Sequence, residues 1–491
     1  MVKRILLVLA ALLLLLVAVL AVNTLRQGSR QLDVPPAPPL ALDEKALADK
    51  LGAAIRLQTV SSLEDPTANA AEFRKLHALL QERFPRVHAT LQRDLVNDLS
   101  LLYTWKGTDP NAKPVAFIAH QDVVPIAPGT ESKWQVAPFS GEVKDGYVWG
   151  RGAWDDKGNL IAQLEAVEML LAAGFQPRQT IYLIAGADEE VGGPRGAVAI
   201  AKMLRERKVR LDFVIDEGLV LTEGILPGVK APAALVGMAE KGYITVQITA
   251  NAPPGHASMP PPPGTTAIAK VGDALKRLDE EQFPPKLQGV ARELFQTLAP
   301  EMGGIQRVAL SNLWLFGPLL EKQLAKGAST NAMLRTTTAL TIVNAGNKSN
   351  VIPGQADATL DYRILPGDST EKVLAHVRSK VGEGVEVKSL GGSTEPTPVS
   401  STAAPSYYQL QRTLRAVFPG TLVAPALYVA GSDSHHFVDL ADSIYRFSPV
   451  RVKPEDVARL HGTNERIAVA NLGELVRFYH QLLRNLNAPA P

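Results

Sequence analysis

The first group in this chain that could do chemistry is a carboxylate on a glycine-rich turn. In Trp149-Gly-Arg-Gly-Ala-Trp-Asp-Asp-Lys-Gly158, Asp155 follows Gly150 and Gly152, which allow sharp backbone conformations. It precedes Leu160, Leu164, Val167 and Leu171, which recur at helical spacing until Gly174 closes the helix. Alone, an Asp-Asp-Lys-Gly turn reads as a helix N-cap. Its company points elsewhere. The apolar run Val115 to Ala119 ends in His120-Gln-Asp122, the run Ile181 to Ala187 ends in Asp188-Glu-Glu190, and the run Phe213 to Ile215 ends in Asp216-Glu217. Three buried-type strands each finish in side chains that bind metals, and ligands in open α/β sheets gather at the carboxyl ends of strands.

The chain has no cysteine, so any metal must be held by nitrogen and oxygen. Two zinc ions about 3.5 to 4 Å apart need a bridging carboxylate and further ligands for each ion. Asp155 suits the bridge. His120 and one acid of the Asp216-Glu217 pair complete one ion, with Asp216 taken as the ligand and Glu217 as its alternative. Glu190 and His461, the latter in His461-Gly-Thr-Asn-Glu465, complete the other. On an extended segment Asp122 shares a face with His120, and its carboxylate can take the histidine's remaining N–H and fix its tautomer. Glu189, next to a ligand, can point toward a shared water and serve as general base, so the constellation suits amide hydrolysis.

At 491 residues the chain exceeds a single core, and a net charge of +2 with no basic or acidic tail excludes nucleic acid as a natural partner. The N-terminus is an unbroken apolar run from Ile5 to Val22, which is 18 residues and just long enough to span a bilayer. Lys3 and Arg4 favour a cytoplasmic N-terminus. The bulk of the chain then lies on the periplasmic, lumenal or extracellular side, or is secreted if cleavage occurs at Val19-Leu20-Ala21. Residues 1–27 are read as this anchor or signal, and 28–41, with Val-Pro-Pro-Ala-Pro-Pro, as a stiff extended spacer. Residues 42–241 alternate helical and strand patterns, with a hairpin at Asp145-Gly146, as an α/β layer structure does. Residues 242–393 read as an inserted α+β domain, and 394–491 return to the first.

Seven motifs carry a resemblance: His120-x-Asp122, Gly150-Arg-Gly-Ala-x-Asp155-x-Lys-Gly158, Asp188-Glu-Glu-Val-Gly-Gly193, Gly255-His-Ala-Ser258, Asn350-Val-Ile-Pro353, Asp361-x-Arg363 and His461-Gly-x-Asn-Glu465. In this order they resemble the di-zinc exopeptidase family of glutamate carboxypeptidase, aminoacylase and carboxypeptidase S. Arg335-Thr-Thr-Thr-Ala-Leu-Thr341 and Tyr445-Arg-Phe447 bring the chain nearest to carboxypeptidase S and the N-fatty-acyl amino-acid synthase/hydrolases. The resemblance implies a mixed-sheet catalytic domain interrupted by a lid domain, which in the family is also a homodimerisation surface. It implies two zinc ions per subunit, with cobalt as an alternative metal. By the same analogy His256 supports the oxyanion, commonly from a second subunit, while Arg363 and Asn350 hold the substrate's free carboxylate. The activity implied is release of the C-terminal residue of short peptides, with hydrolysis or synthesis of N-acyl amino acids as the alternative. A non-catalytic binding protein on the same scaffold would have lost a ligand or the base, and every position here is filled. The loop Gly431-Ser-Asp-Ser-His-His436 departs from the family's usual Gly-Thr-Asp-Ser-Arg type.

Overall fold

The computed structural model describes residues 1–487. Its larger sheet has eight strands in the spatial order Gln92–Val96, Ser100–Trp105, Ile181–Ala185, Val115–Ile118, Leu211–Thr222, Ala441–Val452, Ala233–Glu240 and Leu422–Tyr428. The central strands Ile181–Ala185, Val115–Ile118 and Leu211–Thr222 run parallel, whereas Ser100–Trp105 pairs antiparallel with Ile181–Ala185, so the sheet is mixed. The central runs lack alternation because both faces are covered. On one face Leu160, Leu164 and Val167 of helix Lys157–Ala172 pack with Phe117, Phe213 and Phe478. On the other, Ile200 and Leu204 of helix Ala197–Glu206 pack with Ile118, Ile184 and Val214. The Asp145-Gly146 hairpin forms as expected, both residues at positive φ, joining Val143–Lys144 to Tyr147–Trp149. Arg466–Ala468 adds a third strand to it and so draws the His461–Glu465 loop beside the glycine-rich turn.

The lid sheet is antiparallel, ordered Thr337–Asn344, Gln355–Ile364, Gly242–Asn251 and Val385–Ser389. Along Gly242–Asn251 every second residue, Ile244, Val246, Ile248 and Ala250, is buried under helices Ala267–Glu280 and Thr370–Val381.

Two features differ from the sequence reading. Helices Gly289–Leu298, Gly304–Ser311 and Leu313–Leu324 lie within the lid in sequence, yet Leu294, Leu298, Met302 and Leu310 pack with Leu422, Ala424 and Ala426 of the large sheet's edge strand. An apolar edge strand needs a cover, and this arm supplies it. The Pro-rich segment is laid along the globule rather than spanning a gap. The Gln31 side chain accepts from Val423 N at 2.7 Å and donates to Val423 O at 3.0 Å, and Ala37 N donates to Ala416 O at 2.8 Å. Gln31 thereby satisfies backbone groups that an unpaired edge would leave open. Helix Val2–Arg26 precedes it, with its apolar side chains exposed over most of its length.

Candidate active site

The ends of the central strands converge on Asp155. His120 follows Val115–Ile118, Glu189 and Glu190 lie in a tight turn after Ile181–Ala185, and Glu217 lies within Leu211–Thr222. The two oxygens of Asp155 face different histidines: Oδ1 lies 2.9 Å from His120 Nε2 and Oδ2 lies 2.9 Å from His461 Nε2. Glu190 Oε2 is 3.3 Å from His461 Nε2, and Glu217 Oε1 is 3.8 Å from His120 Nε2. One carboxylate therefore sits between two histidines, each backed by a glutamate.

Glu217, rather than Asp216, is the acid beside His120. Asp216 is buried, and its carboxylate oxygens accept from the backbone N–H groups of Glu217 at 2.9 Å and Ser434 at 2.7 Å. Successive side chains of a strand point to opposite sides, so one of the pair anchors the Gly431–His436 loop and the other faces the histidine. Asp122 does more than the sequence suggested. His120 Nδ1 lies 3.0 Å from the Asp122 backbone oxygen and 3.3 Å from its Oδ1. The same carboxylate accepts from Glu189 N at 3.1 Å, Glu190 N at 3.0 Å and Ser61 Oγ at 2.7 Å, which fixes the Glu189-Glu190 turn against His120.

The glycine-rich turn has its own organiser. Glu465 is fully buried; its Oε1 accepts from the N–H groups of Gly152, Trp154 and Asp155 at 2.9, 3.0 and 3.2 Å, and its Oε2 accepts from Arg151 Nη1 at 2.6 Å. The motif His461-Gly-x-Asn-Glu465 thus delivers a histidine to Asp155 and a carboxylate to the backbone beneath it. Sequence reasoning passed over Asp156 and Asp433. Asp156 is buried beside His120 and Glu217, and Asp433 is buried at the cleft wall. Asp156 adjoins Asp155 in the motif, and Asp433 lies in the loop already noted as unusual. Those two positions were the available signals.

Crowded carboxylates set the electrostatics. Burial pushes Glu189 well above the usual carboxylate range, and the charges of Asp433 and Glu190 add to the shift. Burial likewise raises Glu217, with Asp155 and Asp156 contributing. Asp155 moves the other way: burial opposes ionisation, but the two histidines outweigh it and hold the group well below its ordinary value. Hydrogen bonds to Asp155 and Glu190 lift His461 to about 10. Glu190 Oε1 and Asp156 Oδ2 are buried without a hydrogen-bond partner. Buried charges need partners, and a cluster richer in carboxylate than in cation fits positively charged ions. Among the described residues, His120, Asp155 and Glu190, and likewise His120, Asp156 and Glu217, bring ligand atoms within 4.8 Å of one another. This nitrogen and oxygen donor set suits zinc and other divalent first-row metals.

The cluster opens into a cleft of about 750 Å³ shared with the lid, whose Tyr243 and Arg363 form part of the wall. Arg363 stacks over the Tyr243 ring, 4.8 Å from its centroid, and its Nε donates to Asp361 Oδ1 at 3.1 Å. It is held on two sides yet reaches the cleft. His256 and Asn350 are not brought to this cleft. Both are exposed, His256 on the strand Gly255–His256 and Asn350 in the turn just before its partner strand Val351–Ile352, where Ala257 N donates to Asn350 O at 3.1 Å.

Comparison with known proteins agrees with this geometry. The chain is 42% identical over 457 residues to N-fatty-acyl-amino acid synthase/hydrolase PM20D1 of Xenopus tropicalis, covering 91% of this chain and 88% of that one. It is 39% identical over 477 residues to probable carboxypeptidase S-like 2 of Dictyostelium discoideum, covering 95% and 91%. In fold it is similar to the M20 family metallo-carboxypeptidase Sso-CP2 from Sulfolobus solfataricus, with a TM-score of 0.64 at 17% identity over 91% of this chain and 100% of that one. The sequence pattern of Peptidase family M20/M25/M40 matches residues 116–485, a span that holds each strand end converging on Asp155, and the chain belongs to that family.

Proposed function

We propose that this protein hydrolyses an amide bond next to a free carboxylate, using two zinc ions held around Asp155. The observation that carries the reading is Asp155 itself, whose two oxygens each face a histidine at 2.9 Å with Glu189 in the same cleft. Asp155 would be shared, with His120 and Glu217 on one ion and Glu190 and His461 on the other. Bound zinc supplies Lewis-acid polarisation of the scissile carbonyl and acidifies a water. Glu189, which lines the same cleft, would take the proton of the attacking water as general base and return it to the leaving amine as general acid. Burial, which raises the Glu189 carboxyl, favours its holding the proton between the two steps. Asp122 holds the backbone N–H groups of Glu189 and Glu190, so base and ligand keep their separate directions. Arg363 binds the substrate carboxylate from the lid, and the Asp361 bond and Tyr243 stacking orient its remaining guanidinium N–H groups.

The acyl side is either the rest of a short peptide or a fatty acyl chain. The second reading is supported by the 42% identity to a relative with that substrate in its name. His256 and Asn350 would complete the site from a second copy. The lid's outer strand Thr337–Asn344 exposes Leu340, Ile342 and Val343, a surface suited to such a homodimer. Helix Val2–Arg26 would anchor the chain in a membrane, with the catalytic domain on the non-cytoplasmic face. Purified protein with measured zinc content, assayed on dipeptides, N-oleoyl amino acids and their amidated analogues, tests the reading. Turnover of a free-acid substrate that is lost on chelation and restored by zinc is expected. Equal turnover of the amidated analogues would remove its basis.

A further inference from the structure

The arm that covers the large sheet's edge also meets the end of the N-terminal helix. Asn312, in the turn between helices Gly304–Ser311 and Leu313–Leu324, is fully buried there. Its Nδ2 donates to Leu20 O at 3.3 Å and Thr24 Oγ1 at 3.2 Å, and its Oδ1 accepts from Asn23 Nδ2 at 3.0 Å. Gln27 Nε2 donates to Ser311 O at 3.4 Å, and Arg307 Nη2 donates to Gln27 O at 3.4 Å. The covered positions of the N-terminal helix near this end, Leu16, Leu20, Asn23, Thr24 and Gln27, form one stripe at helical spacing. The joint is built from buried polar groups, so it sets the height of the arm relative to the helix.

That height has a consequence. The apolar run stops at Val22, so Asn23 marks the boundary of the hydrocarbon. Asn312 bonds to Leu20, three residues or about 4.5 Å of helix rise below that boundary. The helices flanking Asn312 expose large apolar side chains to their surroundings: Ile305 is 82% exposed, Leu319 66% and Trp314 59%, with Leu315 beside them. From Val308 to Leu320 the only side chains with hydrogen-bonding groups are Ser311, Asn312 and Trp314. In water this would be an apolar surface without a partner, but at this depth the surroundings are acyl chains and headgroups. Trp is the side chain most at home at that boundary, and Trp314 turns its Nε1 toward Asn312 Oδ1 at 3.3 Å, leaving its carbon face outward.

We infer that the arm Gly304–Leu324 is a membrane-inserted element, immersed through Ile305, Trp314, Leu315 and Leu319 in the leaflet where the anchor ends. The inference rests on reading Val2–Arg26 as a membrane anchor. It makes the catalytic domain a surface-bound body with two points of attachment instead of one swinging on a tether. A helix pair seated at that boundary buries its apolar face about 5 to 10 Å deep.

The absence of cysteine permits a direct test on the full chain. Single variants Leu9→Cys, Ile305→Cys, Leu319→Cys and Leu63→Cys, each carrying a nitroxide, are reconstituted in vesicles of phosphatidylcholine with a minor share of phosphatidylglycerol. Collision with oxygen and with a water-soluble nickel chelate is then measured. Labels at Leu9, Ile305 and Leu319 are expected to favour oxygen, and the label at Leu63, an equally exposed apolar residue, the chelate. If Leu9 favours oxygen while Ile305 and Leu319 favour the chelate, the anchor stands and the immersed arm is overturned. If Leu9 also favours the chelate, the anchor reading falls and the arm with it. Spin–spin broadening at Ile305 and Leu319 that disappears on dilution with unlabelled chain would mean that a second copy covers the arm, which also overturns the inference. In the unlabelled chain, lipids brominated on their acyl chains should quench tryptophan fluorescence, and Trp314→Phe should remove most of that quenching. Unchanged quenching in this variant would count against the arm independently of the labels.

Discussion

Glu190 reaches His461, its Oε2 3.3 Å from Nε2, whereas its neighbour Glu189 lines the cleft, and the roles proposed for the two can be tested residue by residue. Glu189→Gln is expected to keep full metal content while activity falls at least ~100-fold, because on the proposed roles it removes a proton carrier and no ligand. Glu190→Gln and Glu217→Gln should lower the metal content itself, whereas Asp216→Asn should leave it closer to normal and loosen the Gly431–His436 loop. Metal analysis of the four purified variants checks the set, and equal zinc loss from Glu189→Gln and Glu190→Gln would overturn the division of roles. Arg363→Ala should weaken kcat/KM for free-carboxylate substrates by roughly 2 to 4 kcal/mol and leave amidated analogues almost unchanged. Loss of both in the same proportion would return Arg363 to the role of Asp361's surface partner. Most of these positions were legible in the sequence because each follows an apolar run. The Asp216-Glu217 choice was not. Alternation puts the two acids on opposite sides of the strand, but which side the histidine occupies depends on how the neighbouring strands are placed, which the sequence does not display.

At the scale of elements, the loop holding His461 and the turn holding Asp155 act as one piece because Glu465 binds both Arg151 and the turn's backbone. Glu465→Ala leaves the Arg151 guanidinium buried without its carboxylate and removes the acceptor for three N–H groups. Breaking such a pair typically costs about 3 to 5 kcal/mol, so a lowered melting temperature together with weakened metal retention is expected. A stable variant with normal metal content would show that the turn stands without it. Helix Val469–Asn485 carries a different sensitivity. Burial, with Arg484 nearby, depresses His480 to about 4 from its ordinary 6.5. Between those values the unfolded chain binds the proton that the folded chain refuses, so stability rises with pH there and is lost as pH falls from about 6.5 toward 4. His480→Asn should flatten that part of the stability profile, as thermal melts across the range would show. The sheet and lid were readable from their strand patterns. The arm's allegiance was not, because amphipathic helices reveal that they bury a face but not against which sheet.

For the whole molecule, the segment 28–41 belongs to the globule's surface as much as to the N-terminal helix. A chain starting at Arg30 keeps the Gln31 bonds to Val423, and one starting at Pro35 loses them. Both are expected to retain catalytic activity, with the shorter melting at a lower temperature; identical melts would show that the segment merely rests there. Proline content made the segment look like a spacer, but hydrogen bonds to an edge strand depend on where the edge lies, which the sequence does not display.

The connections into and out of the lid run side by side. Tyr243 and Thr394 exchange backbone hydrogen bonds of 2.8 Å in both directions, and Glu240 O accepts from Thr397 N at 3.1 Å. At Gly242 the two chains come so close that a Cβ would lie 2.6 Å from Thr394 O and Pro396 N. The crossing is therefore a zipped ribbon, as a leaf spring is, and not two independent strings. A single methyl group there would act as a wedge: Gly242→Ala is expected to force the ribbon apart, tilt Tyr243 and Arg363 relative to the Asp155 cluster, and alter KM and kcat together in steady-state assays, although Gly242 does not line the cleft.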